Sequence, residues 1–92
     1  IDTAGTTVNA ANAARDNGAK SVTAVATHAL LSGPAIERIK ESAIKKLIVT
    51  DTVSIPENKK LDNMEIVSVA QVFGEAIRRV YEGESVSALF EF

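Results

Sequence analysis

The first residues, Ile1-Asp2-Thr3-Ala4-Gly5-Thr6-Thr7, gather an acid, three hydroxyls and a glycine within a few positions. That composition can cradle a phosphate. Consecutive backbone N–H groups converge on one anion only where the chain turns tightly, and Gly5 permits such a turn without a Cβ clash. The hydroxyls of Thr3, Thr6 and Thr7 add donors. A helix starting directly behind them supplies unpaired N–H groups and the positive end of its dipole. On these residues alone, an ordinary Asp or Thr N-cap stands as the alternative, because helices commonly start on such side chains.

A cradle needs elements to hold it. A buried strand ahead of the loop would fix its position, and none precedes Ile1, so the 92 residues read as the C-terminal piece of a larger protein that begins inside its phosphate loop. Residues 7–17 read as an alanine-rich helix (Val8, Ala10, Ala11, Ala13, Ala14) able to lie close against a sheet, and Gly18 ends it. Residues 21–27 are short, β-branched and almost continuously apolar, which predicts a strand buried on both faces of a parallel sheet. His28 follows at the strand's C-terminal end, where open α/β sheets bind ligands. It is either a ligand contact or a hydrogen-bonded histidine that shapes the turn.

Pro34 suits the first position of a second helix. Ile36 and Ile39 share one of its faces, while Glu37, Arg38, Lys40 and Glu41 read as a solvated surface. Residues 46–50 form the next buried strand, and Asp51 at its end is a candidate for the site or for the turn. The mixed stretch 54–63, with Pro56, is an exposed connection. Residues 64–67 make a short strand, and Ser68 with Gln71 fits a capping box. The helix behind it carries Val69, Val72, Phe73, Ala76, Ile77 and Val80 on one face, with Glu75, Arg78, Arg79 and Glu82 facing away. Gly83 closes it. The tail over 85–90 reads as a small edge strand. Helix, strand, helix, strand, strand, helix is the order of half a doubly wound, mostly parallel α/β sheet.

Composition narrows the function. At 46% hydrophobic and 24% charged, the chain is ordinary globular material. Ten basic against twelve acidic side chains leave no positive excess, so nucleic acid is not an expected partner. With no cysteine and a single histidine, thiolate and two-histidine metal centres are ruled out within these residues. No apolar run approaches the roughly 20 residues that span a bilayer. The expectation is a cytoplasmic protein.

Three separated stretches carry a family resemblance. Ile1-Asp2-Thr3-Ala4-Gly5-Thr6 looks like the second half of the phosphoribosyl-diphosphate-binding motif of type I phosphoribosyltransferase folds. Thr27-His28-Ala29-Leu30-Leu31-Ser32-Gly33-Pro34-Ala35-Ile36-Glu37-Arg38-Ile39 resembles a segment characteristic of the ribose-phosphate diphosphokinases. Ser85-Val86-Ser87 followed by Leu89-Phe90 is similar to the carboxyl terminus of that family. The first motif is shared with many phosphoribosyltransferases, whereas the second and third single out the diphosphokinases.

The resemblance implies that residues 1–92 are the C-terminal part of a ribose-5-phosphate-binding domain, with a regulatory tail over 84–92. It implies that Asp2, Thr3, Ala4, Gly5 and Thr6 hold the 5-phosphate of ribose 5-phosphate, and that Ser85, Val86 and Ser87 belong to a site for a regulatory nucleotide or phosphate at a subunit interface. Family members transfer the diphosphoryl group of ATP to the C1 hydroxyl of ribose 5-phosphate with Mg²⁺ and release AMP. The acidic pair for the ribose hydroxyls, the ATP site, the metal ligands and the catalytic loop are expected outside these residues. The chain alone is then expected to be inactive, and its partners are the N-terminal remainder of the enzyme and further copies of it. Two other readings use the same loop: a phosphoribosyltransferase that consumes the diphosphate, and a non-catalytic regulatory subunit associated with the synthetase. A generic α/β fragment is the fourth.

Overall fold

A computed structural model of the chain describes residues 1–91; Phe92, the last residue of the expected tail, lies outside the described residues. Six regular elements follow one another: α1 (Gly5–Asp16), β1 (Val22–Ala26), α2 (Ala35–Lys40), β2 (Ile44–Thr50), β3 (Met64–Val67) and α3 (Ala70–Glu82). Two 3₁₀ turns, Glu57–Lys59 and Ser87–Phe90, occupy the β2–β3 connection and the tail. The strands form one parallel sheet in the order β1-β2-β3, flanked by helices. The α/β class and the element order are those expected.

Register sets the core. Leu47 pairs with Ala24 and Met64, and Val49 with Ala26 and Ile66. Residues two apart on a strand share a face, so Leu47 and Val49 point to the same side. Both are buried there with Leu31 and Ile39, among the small residues Ala4, Ala11, Ala29 and Ala35. The alanines let backbone approach backbone: α1 packs against β1, β2 and α2. Asn12 ties the layers by accepting a hydrogen bond from the Ala43 N–H at 2.9 Å, just ahead of β2. At the far end of α1, the Ala19 N–H reaches the Ala14 carbonyl at 3.0 Å and Gly18 takes a positive φ, a glycine-based helix stop.

Several expectations require correction. β1 is not buried on both faces, since Val25 is 71% exposed at the edge of the sheet. An apolar run registers hydrophobicity and cannot register which neighbours are present. β2 starts at Ile44, earlier than the apolar run: its register against β1 shifts between the Val22–Ile44 and Thr23–Lys46 pairs, and Lys45 and Lys46 are both exposed at this irregularity. Pro34 caps α2 from just outside it. No capping box forms at α3. Its N-cap is Val69 without a side-chain cap; instead Ser68 Oγ accepts from the Ala70 N–H at 3.2 Å, and Asp51 Oδ1 accepts from the Val69 N–H at 2.9 Å. The tail is not an edge strand. Ser87–Phe90 winds as a 3₁₀ turn closed by the Leu89 N–H on the Val86 carbonyl.

α3 is the amphipathic helix expected, with its apolar face open: Phe73, Ile77, Val80 and Tyr81 are each more than half exposed. Among the described residues, no helix is long and apolar enough to cross a membrane.

Candidate functional site

The cradle begins with a backbone choice that the sequence disguised. Gly5 is not the residue that turns. It is the first residue of α1, and Ala4 before it takes the left-handed conformation, with φ 67° and ψ 7°. A non-glycine residue there costs roughly 1–2 kcal/mol, because its Cβ crowds the following carbonyl. Ala4 has the smallest side chain that still incurs this cost, and it is buried in the core. The turn is therefore held by its surroundings.

Those surroundings are the second motif. The Ile1 carbonyl accepts from the N–H groups of Leu30 and Leu31 at 3.0 and 3.2 Å, and the Asp2 carbonyl accepts from the Ser32 N–H at 2.8 Å. The Ile1 nitrogen donates to the His28 carbonyl at 2.7 Å. Residues 28–32 thus run along the loop as a buttress. Leu31, fully buried, is the other non-glycine residue with positive φ among the described residues, at 52°. Both left-handed residues lie in the two segments that face each other.

Past Ala4 the helix opens without a lid. The first bond of its ladder is Val8 N–H to Ala4 C=O at 2.9 Å, so the N–H groups of Gly5, Thr6 and Thr7 precede the ladder. No side chain caps them, and the first turn holds no acidic residue. The ordinary Asp or Thr N-cap does not form. The hydroxyl-bearing Thr3 and Thr6 are exposed beside these groups, as is Asp2. An anion is the chemical species that such an opening suits.

One residue of the loop's support was missed by sequence reasoning. Arg38, read as part of a solvated charge run, sends Nη1 to the Thr3 carbonyl at 3.1 Å, across 35 positions of sequence. A Cβ built on Gly5 would lie 3.3 Å from the same Nη1, so the glycine leaves room for the guanidinium. The only sequence signal was that Arg38 sits one helical turn from Ala35 and Pro34, on a segment already suspected of bearing on the loop.

The other sheet-edge candidates serve the turns. His28 Nδ1 lies 2.8 Å from Thr52 Oγ1, and the hydroxyls of Thr50 and Thr52 both donate to the Thr27 carbonyl, at 2.6 and 3.1 Å. Asp51 accepts from Val69 N–H, and that bond, with help from the Ser68 hydroxyl, lowers its carboxyl below the usual range. These contacts stitch the ends of β1, β2 and β3 together.

Ser85, Val86 and Ser87 lie apart from the loop in their bonding. Arg79 Nη1 donates to the Ser85 carbonyl at 3.0 Å, and the Glu84 N–H to the Arg79 carbonyl at 2.8 Å, so the tail is tied back to α3. Both serines are exposed. Arg78 bridges Glu75, Glu82 and Glu84, and this network holds Glu75 down at about 2, chiefly through the hydrogen bond from Arg78 and then that from Arg79. A hollow of 460 Å³ lies at the opposite end of the strands, lined by Thr23, Lys45, Lys46 and Asn63 among others. It is remote from every motif. Among the described residues no group of three His, Cys, Asp or Glu side chains is placed to hold a metal ion.

The family model for the phosphoribosyl synthetase-associated domain matches residues 1–91. The chain is 59% identical over 90 residues to a ribose-phosphate pyrophosphokinase of Caldanaerobacter subterraneus, and 60% identical over 90 residues to those of Corynebacterium ammoniagenes and Bacillus cereus. Each of these alignments covers 98% of this chain and 28% of the relative. The crystal structure of phosphoribosylpyrophosphate synthetase from Mycobacterium smegmatis superimposes with a TM-score of 0.87 at 41% identity, over 90% of this chain and 28% of that one. The chain therefore spans little more than a quarter of the length of the proteins it matches. Its three motifs, its parallel sheet and these likenesses agree, and the chain belongs to the phosphoribosyl synthetase-associated domain family.

Proposed function

We propose that these residues are the C-terminal part of a cytoplasmic, oligomeric ribose-phosphate pyrophosphokinase, and that the loop from Asp2 to Thr6 holds the 5-phosphate of ribose 5-phosphate. The complete enzyme transfers the diphosphoryl group of ATP to the C1 hydroxyl of the sugar and releases AMP. The observation that carries this reading is the uncapped start of α1 behind a left-handed Ala4, with Gly5, Thr6 and Thr7 offering N–H groups to an anion. The names of the relatives support the reaction class.

Diphosphoryl transfer depends mainly on positioning and charge stabilisation. A phosphate fixed at the start of a helix leaves the sugar's other end free to face ATP. The part of the loop is to bind and orient the sugar phosphate. The Mg²⁺ that the reaction uses, the ATP site and the residues that stabilise the transferred group lie outside these 92 positions. The Ser85-Val86-Ser87 tail, with both serines exposed, forms part of a site for a regulatory nucleotide or phosphate.

Steady-state kinetics of the complete enzyme test the loop. Thr3→Ala or Thr6→Ala should raise KM for ribose 5-phosphate by about tenfold while KM for ATP stays within about twofold, the scale of one hydrogen bond to a charged group. Equal weakening of both substrates removes the loop from the sugar site. A complete polypeptide with no ribose-5-phosphate-dependent release of AMP would instead favour the non-catalytic, synthetase-associated subunit. For the tail, Ser87→Ala should change nucleotide inhibition or phosphate activation and leave the basal rate near that of the parent. Loss of basal turnover with intact regulation makes the tail structural.

A further inference from the structure

We infer that Arg38 is a positioning residue for the sugar phosphate, acting as a latch on the peptide unit between Thr3 and Ala4. The inference rests on the reading of the loop given above. The φ angle of Ala4 describes rotation about the bond joining its nitrogen to its Cα, and so fixes how the Thr3–Ala4 peptide plane is set. At 67° that plane is held in an orientation an alanine disfavours. Rotating the plane would relieve the strain. It would also reorient the Thr3 carbonyl, a partial negative charge two residues before the uncapped start of α1.

Arg38 blocks that rotation at its most effective point. Nη1 donates to the Thr3 carbonyl oxygen at 3.1 Å, so the carbonyl cannot turn without breaking a charge-assisted bond. The guanidinium fits where it does because position 5 is glycine, with a would-be Cβ only 3.3 Å from Nη1. Its positive charge also stands beside the opening of α1. Three independent facts meet at one peptide: the strained φ of Ala4, the charged donor on Thr3 and the missing side chain at Gly5. Nothing in α2 requires an arginine here. Ala35 and Ile39 bury the helix, while Arg38 is exposed.

Arg38→Gln in the complete enzyme should raise KM for ribose 5-phosphate about tenfold and leave KM for ATP within about twofold, as expected when one hydrogen bond from a charged group is lost. Arg38→Lys, which keeps the charge and a donor but not the planar fork, should fall between. The decisive variant is Ala4→Gly in the Arg38→Gln background. Glycine adopts positive φ freely, so the double variant should recover most of the lost affinity for the sugar phosphate. A general stabilising role for Arg38 would show as a lower melting temperature or a uniform loss in both substrates, and Ala4→Gly would not reverse it. Either result, or an unchanged KM for ribose 5-phosphate, overturns the latch. Thr6→Ala serves as the internal control. If it is selective for the sugar and Arg38→Gln is not, only the latch fails; if neither is selective, the loop itself is not the sugar site.

Discussion

The two ends of this chain are held by different physics. The amino-terminal loop is pinned by backbone: Ile1 and Asp2 bond to residues 28–32, Ala4 is buried, and Arg38 fastens Thr3 from a helix 35 positions away. The carboxyl-terminal end relies on side chains at the surface. α3 is wrapped in ion pairs among Glu75, Arg78, Arg79, Glu82 and Glu84, and its apolar face is open to solvent. Backbone bonds across a packed layer cooperate with burial. Exposed ion pairs are screened and contribute little each. A strained left-handed alanine can therefore persist at the first end, whereas the left-handed residue at the second, which closes α3, is Gly83.

The sharpest way to break this comparison is to remove one large side chain from each region and follow urea unfolding of the 92-residue chain. Leu47→Ala empties the centre of the buried layer and should cost about 2–4 kcal/mol, in the range seen for buried leucines. Ile77→Ala, on the open face of α3, should change stability by no more than about 0.5 kcal/mol. Comparable losses at the two positions would mean that α3 docks on the core and that the contrast is false.

Acid should sharpen the same contrast with a smaller effect. The folded-state pKa values of Asp51 and Glu75 are both lowered. Each carboxylate therefore contributes stability that is complete above its unfolded value and is lost as pH falls through its folded value. For Glu75 that window runs from 4.5 down to about 2. Circular dichroism across this range should show helix content falling, and Glu75→Gln should remove the part of the fall that belongs to α3. An identical acid profile in the Gln variant would show that the Arg78 network does nothing for the helix.

Periodicity and composition carried much of the fold. The alanines of α1, the β-branched run of β1 and the face of α3 announce their elements because each records a local preference or a local pattern of burial. The boundaries that failed were those decided from afar. Ser68 and Gln71 look like a capping box, yet Asp51, seventeen residues before Ser68, supplies the acceptor at Val69. The tail's alternation suggested a strand, but Arg79 draws the Ser85 carbonyl toward α3 and the chain winds instead.

At the loop the division is cleaner still. Residue types alone made residues 2–6 a candidate phosphate cradle, with an ordinary N-cap as the alternative, and 27–39 a family motif, since a phosphate site needs small residues, hydroxyls and a helix start in sequence order. They did not say that the second segment is the buttress of the first. Nor did they say that Ala4 rather than Gly5 would carry the positive φ. Glycine's permissiveness is a property of one residue, and reading it required no partner. The strain at Ala4 and the reach of Arg38 exist only once the chain has folded and residues 3 and 38 have become neighbours. Sequence determined which groups the loop offers; tertiary contact decided which backbone would be bent to present them, because only packing can hold a residue where its own preference would not.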